Sequence, residues 1–242
     1  MRKFGDFVIL IVALLAVWQG LHAIAGDTTL TSPADTFVKL GQLMRTDQFW
    51  GNVAETGQAF AMALVISLIG GIGLGTLLGL NRTSGVVSEP ILIALYSLPK
   101  VTLYPLVLLC FGLGISAKVA FGAMHGLVPV ALFTMKAIMQ LKPVYMRTAQ
   151  ALRLTPSQVA TTIALPAVLP KVMAGARLGF SLSLLGVLIG EMFASKRGLG
   201  FMINSAMGLG DIATIMAVAV FLSIFAVAAN ALLLLIDRAI PR

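Results

Sequence analysis

Long apolar runs alternate with short polar interruptions along the chain, and the alternation predicts six membrane-crossing helices. A run of about 20 apolar residues, coiled as a helix, crosses the ~30 Å hydrocarbon layer. The runs cover Phe7–Ala25, Ala54–Leu80, Pro90–Leu113, Val119–Met139, Val172–Phe193 and Ile212–Ile236. Ala23-Ile24-Ala25 resembles a signal cleavage site, but the first run exceeds the ~7–15 residues of a signal core and reads as a retained span. Pro99 and Pro105 predict a kink or break in the third span. Between the first two spans, Ser32-Pro33-Ala34-Asp35 reads as a helix start. Phe37, Leu40, Leu43 and Met44 then form an apolar stripe, so an amphipathic helix on the membrane surface is expected. Ala194 to Asp211, with Gly198, Gly200, Gly208 and Gly210, reads as a polar connection.

The connection from Pro143 to Pro170 carries the clearest helix punctuation. Pro143 suits the first position of a short helix. Arg147, Gln150 and Arg153 recur every three residues and would share one side of it, opposite Val144, Tyr145, Thr148, Ala149 and Leu152. Thr155, Pro156 and Gln158 make a capping box for a second helix, expected to end before Pro166. The pattern fits an ordinary helical loop and a docking element for another protein equally well.

Composition agrees with a membrane protein. The 242 residues are 59% hydrophobic and 11% charged, against roughly 25% charged in a soluble domain. The 24 glycines suit close helix packing in lipid. The net charge of +8 is scattered between spans rather than gathered on one face, which argues against nucleic acid. Arg2, Lys3, Arg82, Lys142, Arg147, Arg153, Lys171, Arg238 and Arg242 fall on one side of the spans. Lys39, Arg45, Lys118, Lys196 and Arg197 fall on the other. The richer side, with both termini and the 143–170 connection, is expected in the cytoplasm. One transmembrane domain, 1–242, is expected: an N-terminal span (7–25), a core (54–236) and the cytoplasmic loop (143–170), with no internal repeat.

Several chemistries lack their residues. No GxxxxGK[ST] phosphate loop, HExxH or metal-spaced Cys/His cluster occurs, and Cys110 is the single cysteine. The chain is not expected to be an enzyme or to hold a cofactor or metal. Polar groups inside spans are functional candidates. Lys100, Tyr104, His125 and Glu191 are the candidate pathway residues. Lys100 reads as a snorkelling lysine at a helix break or as a cation lining an anion path. His125 and Asn230 are expected to bond neighbouring helices, and Lys136 and Arg177 to snorkel. Glu191 lies close in sequence to Lys196 and Arg197, which predicts a structural ion pair or an outer gate contact.

The 143–170 connection resembles the signature loop of permease subunits of binding-protein-dependent ABC importers. That signature runs EAA, three residues, G, nine residues, I, one residue, LP. Ile163-Ala164-Leu165-Pro166 matches its end and Ala149 its third position, while Arg147, Thr148 and Arg153 replace the usual glutamate, alanine and glycine. Downstream, LPAVLPKVMAGARLGFSLSLLGVLIGEMFASKRGLGFMI resembles the nitrate/sulfonate/taurine branch, as does LPKVTLYPLVLLCFGLG. The resemblance covers Thr36 to the C-terminus. It implies an all-α fold of the type I importer class in a bacterial inner membrane. It also implies a second permease chain (identical or a paralogue), two cytoplasmic ATPases that bind ATP and Mg, and an extracytoplasmic solute-binding protein. Arg147, Ala149, Gln150, Leu152, Arg153, Thr155, Ile163, Leu165 and Pro166 would then form the ATPase-coupling element. A self-sufficient secondary transporter or channel is the alternative, but its expected repeats and buried relays are not evident.

Overall fold

The structure is a computed structural model and describes residues 2–26 and 29–239; Arg242 of the charge count lies outside them. Every regular element among the described residues is helical. The elements are α1 (Arg2–Ala25), α2 (Pro33–Leu43), α3 (Asp47–Leu80), α4 (Arg82–Ser97) and α5 (Tyr104–Phe111). They continue with α6 (Ile115–Met139), α7 (Pro143–Ala151), α8 (Pro156–Gln158), α9 (Leu165–Ala194), α10 (Leu199–Leu209) and α11 (Ile212–Ala239).

Four helical stretches are long and apolar enough to cross a membrane: Asp47–Leu80, Ile115–Met139, Pro156–Phe193 and Ile212–Leu235. α4 and the Lys100–Phe111 segment together make a further candidate, bent by 83° at Leu98-Pro99. The sequence predicts that break. α1 is a 24-residue apolar helix whose Ile9, Val12, Leu14 and Ile24 stay exposed. Trp18 donates to the Thr31 carbonyl at 3.0 Å and His22 Nδ1 lies 2.7 Å from the Leu30 carbonyl, which ties α1 to the turn that follows it.

α6 is the central helix, clamped between α3 and α9. Small residues set how close the three approach. Gly71, Gly75 and Gly79 recur at the helical repeat of four on α3 and face α6. A Cβ on Gly75 would sit 2.5 Å from the Ala131 carbonyl oxygen, so only glycine admits this separation. Where all three helices meet, Ser67 of α3 and Ser183 of α9 lie 3.0 Å apart, and Ser67 donates to the Ala123 carbonyl of α6. The core above them holds Ala59, Phe60, Ala63, Val119, Phe180, Leu184 and Val187.

Three elements differ from the sequence expectation. The stretch after span five is not merely a polar connection: residues 199–209 form α10, which buries Leu199 and Ala206. Four glycines masked an apolar helix. α2 is amphipathic as expected, but it docks on the protein. Its Leu40 packs with Phe49, Leu199, Ala217 and Val218, and Lys39 pairs with Asp211 at 3.3 Å.

The third difference is the second short helix, which does not end before Pro166. It continues from Pro156 into α9 through a π-helical segment, Val159–Ala164. A π turn bonds i to i+5, and it brings the change of register immediately before the proline that lacks a donor. Thr161 and Thr162 return their hydroxyls to the Ser157 and Gln158 carbonyls.

Candidate functional site

Two regions at opposite ends of α9 hold the candidate residues. At the first, α7 ends at Ala151, with Leu152 as its C-cap. The Arg153 N–H donates to the Gln150 carbonyl and the Leu154 N–H to the Ala149 carbonyl, each at 3.0 Å. This is a Schellman turn, and it places Arg153 in the left-handed region with φ 51°. Arg153 therefore does not share a helical face with Arg147 and Gln150, as the spacing of three predicts; it lies beyond the helix. The same geometry supplies a reason for glycine at this place in the related signature, since a Cβ costs about 1–2 kcal/mol there. Thr155 forms the expected capping box: its hydroxyl accepts from the Gln158 N–H, and the Gln158 side chain accepts from the Thr155 N–H at 2.9 Å. Ala149 is buried, whereas Arg147, Gln150, Leu152, Arg153, Thr155, Leu165 and Pro166 are exposed and Ile163 is half-buried. Leu152 and Leu165 are 64% and 55% exposed, so each leaves an apolar side chain uncovered at this end of α9.

At the other end, Glu191 is fully buried. Its carboxylate accepts from the Thr56 hydroxyl at 2.8 Å and from the Gly200 N–H at 3.0 Å, at the start of α10. A carboxylate suits this place because a helix N-terminus leaves backbone donors free. The backbone leading into α10 is held twice more, by Gly198 N–H to Asn52 (2.8 Å) and Leu199 N–H to Thr56 (2.8 Å). Gly198 has φ 116°, and a Cβ there would collide with the Glu191 carboxylate. Lys118, at the start of α6, is buried with its ammonium 3.8 Å from Glu191. It bonds Glu55 at 2.9 Å and the Arg197 carbonyl at 3.1 Å. The expected pairing of Glu191 with Lys196 or Arg197 is therefore replaced by Lys118. Neighbours in sequence are carried away by the turn into α10, while α6 passes alongside.

Asn52, Thr56 and Lys118 are site residues that sequence reasoning missed. Asn52, Glu55 and Thr56 recur at three and four residues, a polar stripe visible in the sequence. A cavity of about 560 Å³ opens beside this cluster, lined by Glu55, Gly114, Lys118, Lys196 and Arg197 among others.

The remaining candidates lie between these ends. Tyr104 is buried and donates to the Gly190 carbonyl at 2.7 Å, one residue from Glu191. Its ring packs edge-on against Phe121 at 4.8 Å, and Phe121 packs on His125 at 4.5 Å. Rather than reaching a neighbouring helix, His125 donates from Nδ1 to the Phe121 carbonyl of its own helix at 2.9 Å. Gly186 on α9 lies against the ring and leaves room for it. Lys100 sits at the break in span three. Its ammonium bonds the Tyr96 carbonyl at 3.0 Å and stands over the Tyr96 ring at 5.3 Å. The break exposes that carbonyl, and the lysine satisfies it. Asn230 does reach a neighbouring helix, accepting from Arg177 at 3.3 Å. Lys136 pairs with Glu89 at 2.7 Å instead of simply snorkelling. Tyr104, His125 and Glu191 thus share one packed seam along α6, with Lys100 at its edge.

The family described as "Binding-protein-dependent transport system inner membrane component" matches residues 68–242. The taurine transport system permease protein TauC of Escherichia coli (strain K12) is 28% identical over 81% of this chain and 74% of its own length. The nitrate import permease protein NrtB of Synechococcus elongatus is 25% identical over 87% and 79%. The riboflavin transport system permease protein RibX of Chloroflexus aurantiacus is 28% identical over 96% and 87%. Among solved structures, a chain of the inward-facing MetNI methionine ABC transporter superposes with a TM-score of 0.57. The two share 22% identity, and the superposition covers 80% of this chain and 94% of that one.

Proposed function

From the premise that this chain belongs to the inner membrane components of binding-protein-dependent transport systems, we propose its particular task. It pairs with a second permease chain to form the pathway by which an ATP-driven importer admits a small anionic solute. An extracytoplasmic binding protein delivers the solute. Two cytoplasmic ATPases carry the ATP and Mg, which fits a chain without a phosphate loop. On this reading six spans cross the membrane, α1 and the broken α4/α5 pair among them, and both termini are cytoplasmic.

The observation that carries the reading is the α7–α9 junction. A short helix with exposed Arg147 and Gln150, followed by exposed Leu152, is joined through a capped turn to a membrane-crossing helix that runs on without a break. An ATPase that moves this element moves a span with it, as rigid-body rocking between inward and outward states requires. The anionic character of the solute rests on the exposed Lys196 and Arg197 at the cavity, since Lys118 there is already paired with Glu55 and Glu191. Cations concentrated at a mouth raise the local concentration of anions. Lys100, at the break between α4 and α5, is taken as a pathway cation on this reading.

Reversing Arg147 and Arg153 together, Arg147→Glu with Arg153→Glu, tests the coupling element. Truncating one member of a desolvated charge pair costs about 2–5 kcal/mol at an interface, whereas solvated arginines cost almost nothing. The double variant is expected to insert and fold but to lose its ATPase on purification, or to hydrolyse ATP without transport. Wild-type ATPase retention and wild-type uptake would remove this stretch as the docking element.

A further inference from the structure

A second polar region lies at the α7 end of the molecule, away from the α6 seam and the exposed coupling strip. A cavity of about 860 Å³ opens between the α3–α4 turn, the end of α6 and the start of α7. Arg82, Lys136 and Lys142 line it with a single carboxylate, Glu89. Glu89 is taken by Lys136 at 2.7 Å. Arg82 and Lys142 have no anionic partner among the described residues. A smaller cavity of about 330 Å³ shares Lys136 and Gln140 with the first and adds Lys171, which bonds Gln140 at 2.7 Å.

The rest of the larger cavity wall is apolar, with Leu80, Val86, Met139 and Met146. The wall runs out onto the outer surface of α3 and α4, where Leu77, Leu80 and Val86 are 72%, 73% and 57% exposed. Two unneutralised cations above an apolar slope at the end of a membrane span match one amphiphile: an anionic headgroup with its acyl chains beside it. A free phosphate would leave the apolar wall uncovered.

We propose that this cavity binds an anionic phospholipid, its phosphate held by Arg82 and Lys142 and its chains lying along α3 and α4. Pro143 and Met146 of α7 also line the cavity, so the lipid braces the seat of that helix. The assignment rests on reading this end as the cytoplasmic face, whose leaflet is rich in anionic lipid.

The test is native mass spectrometry of the full chain, purified with its accompanying subunits from nanodiscs of mixed phosphatidylglycerol and phosphatidylcholine. Wild type is expected to retain phosphatidylglycerol preferentially. Arg82→Gln with Lys142→Gln should lower that preference by about fivefold per cation removed, roughly 25-fold in all. Arg82→Lys with Lys142→Arg should restore it, and Lys196→Gln with Arg197→Gln should leave it unchanged. Equal retention of the two lipids by wild type would overturn the proposal. So would a glutamine double variant with undiminished preference, or inorganic phosphate that displaces the lipid at the lipid's own concentration. Both leaflets of a nanodisc carry the same mixture, so an inverted topology would leave this result intact and would show separately in surface labelling.

Discussion

Replacing Glu191 by alanine probes the junction of α9 with α10 most directly. The side chain is fully buried, and its carboxylate accepts from the Thr56 hydroxyl and the Gly200 N–H. Alanine leaves both donors in a dry pocket at about 1–3 kcal/mol each. It also takes from Lys118 one of two carboxylates, although Glu55 at 2.9 Å remains. Breaking a buried ion pair by removing one partner costs about 3–5 kcal/mol, and the bond to Glu55 moderates that. A total loss of about 3–5 kcal/mol is expected. Glu191→Gln keeps the shape and one acceptor oxygen, and should lose about half as much. Thermal unfolding in detergent, read as the loss of monodisperse protein on size exclusion, gives the order wild type, Gln, Ala. A cysteine at Ser195 in a Cys110-free background should label faster in the alanine variant, because α10 is no longer held at its start. A loss below about 1 kcal/mol for alanine, with unchanged labelling, would refute the argument that this carboxylate holds α10 to the α3–α9 seam.

Other expectations are simpler. Arg153→Gly relieves about 1–2 kcal/mol of left-handed backbone strain and returns about 0.5–1 kcal/mol as unfolded-chain entropy. A small net stabilisation of the α7 turn should follow, seen as slower amide exchange at Leu154; faster exchange would contradict the Schellman assignment. Lys100→Ala is expected to weaken uptake of an anionic solute without changing assembly, and unchanged kinetics would leave it only as a partner of the Tyr96 carbonyl. Labelling from outside intact cells should reach a cysteine at Asp47 and miss one at Ser157, and the opposite pattern would invert the topology. The Asp211 carboxyl is held below the usual carboxylate range, chiefly by the Thr214 hydroxyl and N–H and by Lys39, against a partial burial that raises it. A lowered folded pKa contributes stability above the unfolded value of about 3.9, and this is lost as pH falls through the folded value. Asp211→Asn should therefore flatten the fall in melting temperature below about pH 4, and an unaltered acid limb would discount the contact.

The apolar runs were legible because burial in lipid and helix length are one-dimensional properties. The broken third span followed from Pro99, and the capping box from Thr155, Pro156 and Gln158, all of which act on backbone within a few residues. What escaped depends on contacts far apart in the chain. Glu191 meets Thr56 across 135 positions, and no local pattern pairs them. The second short helix runs past Pro166, against the sequence expectation, because a proline breaks an α-helix only if the bonding register stays fixed, and here a π segment changes it. The spacing puts Arg153 on a helical face, yet α7 ends two residues sooner, at Ala151, and Arg153 belongs to the Schellman turn that follows. α10 was overlooked because glycines that start and stop a helix look, in sequence, like a loop.

The uninterrupted run from Pro156 to Phe193 has a mechanical meaning. Its two ends carry the capped turn at Thr155, proposed above as the coupling element, and Glu191, separated by about 50 Å of helix at 1.5 Å per residue. A rod of that length pivoting by about 5° at its middle displaces each tip by roughly 2 Å in opposite senses. That is enough to part a carboxylate from a backbone N–H now 3.0 Å away. On the proposed reading, the same push on Thr155 that tilts the rod would thus unfasten the start of α10 at the rod's other end. On that reading the π segment, Val159–Ala164, lies next to the pushed end, where its changed bonding register would divide the push between tilt and bending.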